Sequence, residues 1–302
     1  MATINVLGYP SSAGAYCVGV ELAPAAIRGA GLVRALEAAG HRVRDAGDLP
    51  VRRWRPDHEH PLAQNLDEEV TALRELAAAA RDLVVPGERL LVIGGSCTVA
   101  LGLCAAAGRD DAEAHLVYVD RHLDLNTPAS TTEGSLSWMG MAHALGVDGA
   151  ARELVELAGA GPLLRPGHLS YLGVDLGATT AWEREQVDAL GLAVVSQTEL
   201  VTDPAQAARA ARRALPTGPF LVHVDVDVLD FIDAPLAENV NGRNSGPTLA
   251  ELGVALGELW RDPACLGVSV GQLVPAHAAS DPTALPRLVA ALTPPADDGS
   301  WA

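Results

Sequence analysis

The chain has 302 residues, 49% of them hydrophobic, which is enough to bury one large core. Its 38 acidic and 21 basic residues give a net charge of −17. That balance argues against nucleic acid and anionic membranes as partners, because their phosphates would be repelled, and it suits a site that holds cations behind carboxylates. All 21 basic side chains are arginine. The 30 glycines and 20 prolines are spread along the chain, so a single domain over residues 1–302 is expected, with a frayed tail at 294–302. The N-terminal stretch shows no basic region leading into an apolar one, and no apolar run reaches the ~18 residues of a membrane span. Cys17, Cys97, Cys104 and Cys265 have no CxxC spacing, which reads as reduced, cytoplasmic usage.

In chain order, strands are expected at Ile4–Leu7, His41–Arg44, Leu90–Ile93, Leu116–Asp120, Leu169–Val174, Ala193–Val195, Leu221–Asp227 and Leu266–Val270. Helices are expected at Pro24–Ala39, Ala63–Leu83, Cys97–Ala107, Trp182–Leu190, Pro204–Leu215, Leu249–Trp260 and Pro282–Leu292, with a short apolar helix at Met139–Leu145. Alternating β and α segments with continuously apolar strands predict a three-layer α/β/α fold around a mostly parallel sheet of about eight strands. Ligands of such sheets sit beyond the carboxyl ends of the strands.

Three segments carry chemistry at those ends. The apolar run Leu116–Val119 leads into Asp120, His122 and Asp124, whose alternate spacing predicts a shared face and a hard, oxygen-rich cation site with one nitrogen ligand. The run from Phe220 leads into His223, Asp225 and Asp227, two carboxylates that repel unless a cation lies between them. The third segment is Leu90–Ile93 followed by Gly94, Gly95, Ser96 and Cys97, a tight turn that sets a thiol at a predicted helix start. A free cysteine is also commonly just a small packed hydrophobe, and both readings of Cys97 stay open.

In this order the three segments resemble the GGDHS, DAHxDxN and SxDxDxxDP signatures of the arginase, agmatinase and formimidoylglutamase family. Gly19-Val20-Glu21 with Pro24 and Arg28–Leu32, and Asp124–Pro128 with Thr131, Thr132 and Gly134, extend the resemblance over nearly the whole chain. It implies an arginase/deacetylase-like fold and a pair of divalent metal ions, manganese in the family, that make a water nucleophilic toward a guanidinium carbon. Carried over by position, Asp120 and Asp225 would bridge the metals, Cys97 and Asp124 would complete one shell, and His122 and Asp227 the other. Asp124 would also serve in catalysis. The resemblance further implies a small-molecule substrate and assembly as a homo-oligomer, a trimer or hexamer.

The departures are equally specific. Cys97 stands where the family has a metal histidine, and a thiolate brings zinc or iron in as alternatives to manganese. Ser137 stands at the proton-relay histidine and cannot titrate near neutrality, which makes His223 a candidate for that role. Gln272 replaces the acid that receives the guanidinium, Glu133 falls where a small hydroxyl helps hold the substrate's carboxylate, and Asn126 is kept. Arg121 replaces a small residue between Asp120 and His122 and is expected to point away from the metals. One branch of the family, the hydroxyarginine amidinohydrolase of D-cycloserine biosynthesis, is similar in its cysteine, its missing relay histidine and its histidine at position 223. The expected function is therefore hydrolysis of a C–N bond in a modified guanidino or amidine compound, not free arginine, in a specialised biosynthetic pathway. The alternatives are the same metal fold acting on a neutral amide or imine or in a condensation, or a non-catalytic family member.

Overall fold

The computed structural model describes residues 2–108, 114–240 and 244–296. Eight strands form: β1 (Thr3–Gly8), β2 (Arg42–Asp48), β3 (Glu88–Ile93), β4 (Leu116–Val119), β5 (Leu169–Val174), β6 (Ala193–Ser196), β7 (Phe220–Asp225) and β8 (Cys265–Gly271). Their order in the single sheet is β2-β1-β3-β8-β7-β4-β5-β6, and the pairings are parallel.

The strands read as uninterrupted apolar runs because both faces are covered. Leu91, Ile93, Val117, Val119, Val222 and Val224 enter one hydrophobic core, while their neighbours Leu90, Val92, Leu116, Tyr118 and Leu221 enter the other. Successive side chains point to opposite faces, so each strand stitches the two helical layers together. Edge strand β2 is the exception. It is largely exposed and carries Arg42, Arg44, Asp45 and Asp48, charges that discourage pairing with another chain.

The expected elements form, with differences that have local causes. The helix expected at Pro24–Ala39 is two helices, Ala23–Gly29 and Leu32–Ala38, because Gly31 turns left-handed at φ 98°. Helix Gln197–Thr202 was not expected. Its signal is a capping box in which Ser196 and Glu199 bond each other's backbone amides. Of the tail expected to fray, residues 297–302 lie outside the described residues, whereas Pro294 is buried and its carbonyl lies 3.3 Å from His41 Nε2.

Candidate active site

The chemistry-bearing segments leave β3, β8, β7 and β4, which are four consecutive strands in the middle of the sheet. Their loops therefore converge on one cavity of about 370 Å³ at the carboxyl edge. Cys97 enters it from β3, His122 and Asp124 from β4, Asp225 and Asp227 from β7, and Gln272 from β8.

The spacing Asp-x-His and Asp-x-Asp has a cause that differs from the expected alternation along a strand. β4 stops at Val119 and β7 at Asp225, so most of these side chains stand on loops. The His122 N–H donates to Asp120 Oδ1 at 2.6 Å, and the Asp227 N–H donates to Asp225 Oδ1 at 2.7 Å. Each aspartate thus folds its own loop back in a side-chain turn and brings the residue two positions on beside itself. After β7 this turn becomes a single 3-10 turn, Val226–Val228. Asp124 is reached only through a left-handed residue, its own φ being 51°. The Tyr118 phenol donates to Asp124 Oδ2 and holds that carboxyl in place.

The loop after β3 is shaped by two left-handed glycines. A Cβ on Gly94 would lie 2.6 Å from the Pro24 ring, and one on Gly95 would lie 2.3 Å from the Tyr9 ring. Only glycine permits both the conformation and the close approach. Below this turn the buried carboxylate of Glu69 accepts from Thr98 Oγ1 at 2.5 Å and from the Tyr9 phenol at 3.3 Å. The helix begins at Val99, so Cys97 lies just before it rather than within its first turn.

Two groups of potential ligand atoms result. Cys97, Asp120 and Asp225 place one ligand atom each within 4.8 Å of one another, and so do Asp120, His122 and Asp227. Asp120 belongs to both, which is the arrangement a pair of cations would share. Asp225 falls in the first group only, and Asp124 faces the same cavity but falls in neither.

The electrostatics fit two cations. Burial, then repulsion from Asp227, raises the Asp120 carboxyl to about 6. Burial, then Asp227 and Asp120, pushes Asp225 well up, and burial with Asp120 does the same to Asp124. Asp227 is held below its usual value: burial opposes its charge, but the His122 imidazole 3.1 Å away, together with Arg121 and Asp120, outweighs burial. Asp227 Oδ1 is buried with no hydrogen-bond partner. Burial and the carboxylates of Asp225, Asp124 and Asp120 also push the Cys97 thiol well up, so a cation at the sulfur is what would hold it as a thiolate. Buried, mutually repelling donors with an unpartnered oxygen match a hard dication pair with one soft ligand.

The remaining expected residues divide between the cavity wall and the packing behind it. Ser137 lines the cavity, its Oγ 2.7 Å from Ser135 Oγ. His223 stands behind the wall: its Nδ1 is 2.9 Å from Ser269 Oγ, its ring stacks on Tyr118 with centroids 5.0 Å apart, and burial pushes it down to about 3, so it is held neutral. Glu133 accepts the Ser135 N–H at 2.7 Å, and Asn126 Oδ1 accepts from Ser130 Oγ at 3.4 Å; neither is among the described lining residues. Arg121 donates to the carbonyl of Ser245 at 2.5 Å, and its charge also acts on Asp227, so, contrary to expectation, it is not wholly turned from the metal-ligand types.

Five lining residues were not read from the sequence: Tyr16, Trp138, Glu238, Asn239 and Val240. Trp138 lies against His122, ring centroids 5.7 Å apart. The signal for Glu238 was an acid flanked by the apolar run Ala234–Ala237, which is the pattern of a carboxylate drawn into a core.

Comparison with known proteins agrees with this geometry. The arginase family profile matches residues 2–291. An arginase of Brevibacillus brevis is 31% identical over 240 residues, covering 77% of this chain and 78% of that protein. The crystal structure of arginase from Bacillus cereus superposes with a TM-score of 0.83 at 25% identity, covering 99% of this chain and 98% of that one. The arginase of Bacillus caldovelox gives 0.84 at 25% identity, over 97% and 96%. The chain belongs to the arginase family, hydrolases that use a binuclear metal centre on carbon–nitrogen bonds other than peptide bonds.

Proposed function

We propose that this protein hydrolyses a C–N bond of a guanidino or amidine compound other than free arginine, in a specialised biosynthetic pathway, with two divalent cations. The observation that carries the reading is the pair of ligand groups sharing Asp120 at the wall of a cavity large enough for a small molecule. Cys97, Asp120 and Asp225 would hold one cation and Asp120, His122 and Asp227 the other, with Asp124 beside them. Manganese is the proposed ion, and the Cys97 sulfur brings in zinc or iron. When bound, such cations make a water nucleophilic near neutrality and offset charge developing at the attacked carbon.

The chain's own residues frame the rest. Asp124, its Oδ2 accepting a hydrogen bond from the Tyr118 hydroxyl, presents a carboxyl to the cavity that is suited to carrying a proton from the attacking water to the departing nitrogen. Ser137 and Ser135 offer linked hydroxyls for hydrogen bonding to substrate. Departure from free arginine rests on Cys97 and on Ser137 at the relay position. The protein is proposed to act in the cytoplasm as a homo-oligomer.

The test is a panel of L-arginine, agmatine and N-hydroxy-L-arginine offered to protein loaded in turn with manganese, zinc and iron, reading release of urea or hydroxyurea. Turnover of the N-hydroxylated compound at least about tenfold above arginine supports the reading. Arginine as the preferred substrate would overturn the substrate assignment, and no release from any compound would overturn the activity.

A further inference from the structure

The segment after β7 returns to the end of β8 and pairs with it. The Glu238 N–H donates to the Gln272 carbonyl at 2.7 Å and the Val274 N–H donates to the Leu236 carbonyl at 2.8 Å, bracketing an antiparallel bridge between Ala237 and Leu273. Gln272 is fixed in a left-handed conformation at φ 58°, its own N–H donating to the Gly95 carbonyl at 2.9 Å. This clip sets the Glu238 and Gln272 side chains together on the cavity wall, with the Gln272 amide close enough to pull the Glu238 carboxyl down.

With the amide nitrogen toward Glu238, the Gln272 carbonyl oxygen is left as an acceptor. Gln272 is 7% exposed, and this oxygen is buried with no hydrogen-bond partner. A carboxylate and an unpartnered amide oxygen side by side at the cavity call for a ligand with several N–H donors and a positive charge. Among the described lining residues the acids are Asp124, Asp225, Asp227 and Glu238. The first three stand with the metal-ligand types, which leaves Glu238 to meet charge on a substrate.

We propose that Glu238, held by Gln272, is the specificity residue that receives the cationic nitrogen end of the substrate, so that the charge absent at position 272 is supplied from the adjoining segment. This rests on the reading of the cavity as the site of a guanidino hydrolase. Glu238 also accepts from the Cys17 N–H at 3.4 Å and thiol at 3.5 Å, so the test must separate binding a ligand from tying down a loop.

The experiment measures calorimetric binding of agmatine to the metal-loaded full chain, with metal content and melting temperature as controls. Glu238→Gln should weaken agmatine binding about 10- to 100-fold while metal content stays unchanged. The double variant Glu238→Gln/Gln272→Glu, which returns the charge to the neighbouring position, should regain most of the loss. A purely loop-tying role would not give that rescue. Wild type that binds no agmatine, Glu238→Gln binding within about twofold of wild type, or a double variant as weak as the single would each overturn the proposal. Urea or hydroxyurea release by wild type is read separately. Release with no effect of Glu238→Gln on binding sinks this inference alone, whereas Glu238-dependent binding with no release sinks the hydrolase reading alone.

Discussion

The Cys97 sulfur lies 2.6 Å from Asp225 Oδ2, although the two residues belong to strands that are not neighbours. β8 runs between β3 and β7, so the contact is made over the carboxyl end of β8, where the loops bend toward one point. The thiol donates to that carboxylate oxygen, and with its proton replaced by a cation the two atoms would need to move apart only slightly to become ligands of one ion.

It follows that Cys97→Ala should cost about one of two bound metal ions per chain. Cys97→His should keep both and shift preference from zinc toward manganese, because imidazole is a harder ligand than thiolate. Elemental analysis after dialysis against each metal reads both outcomes. Two tightly held ions in Cys97→Ala would show that the sulfur is not a ligand.

Asp120 is the member common to both ligand groups, so Asp120→Ala should empty both positions and lower turnover by roughly a thousandfold or more. Asp227→Ala should spare the Cys97 group. Comparing metal content across the two variants tests the sharing; equal single-ion losses would contradict it.

Glu238 gives a pH dependence with a definite sign. Burial raises its carboxyl to about 7, against the Cys17 and Gln272 donors that pull it down. The groups facing it are the Cys17 thiol, itself pushed up to about 11, the neutral Gln272 amide and the more distant Asp227. Above about 7 the carboxylate is ionised and binds a cation. Below that it protonates, and agmatine affinity should fall by about tenfold per pH unit. Titrating binding between pH 8 and 5.5 in wild type and Glu238→Gln checks this, the variant giving a flat profile.

His143 predicts a separate loss of stability in acid. Burial lowers it from 6.5 to about 4, although the Met139 carbonyl 2.5 Å from Nδ1 favours the protonated ring. The folded-state value is depressed, so below 6.5 the unfolded chain takes up a proton that the folded chain refuses. The stability is fully present above 6.5 and is lost as pH falls toward 4, to the extent of about 3 kcal/mol. His143→Met should flatten this part of the curve in urea unfolding measured at pH 7 and pH 4.5. An unchanged pH slope in the variant would refute it.

Alternation of apolar runs with helical stretches was enough to read the parallel sheet, because strands buried on both faces must be apolar throughout. Asp120, His122, Asp124, Asp225, Asp227 and Cys97 were legible as a set for a related reason: an apolar strand running straight into acids has no solvent to put them in. Their geometry was misread as strand alternation, since the side-chain turns at Asp120 and Asp225 end the strands before the second ligand.

Glu238 and Gln272 show where sequence reasoning stops. Gln272 by itself argued that the site had lost its charge for a cation. The bridge between Ala237 and Leu273 brings a carboxylate back beside it across 34 positions of chain. The sequence by itself determined the layers, the strand ends and the metal-ligand types, because these follow from local hydrophobic pattern and residue chemistry. Only the tertiary structure decided that β3, β8, β7 and β4 lie side by side, that His223 stands behind the wall and Glu133 off it, and that Glu238 stands in it. Strand order and loop return are set by long-range packing, which no window of sequence contains.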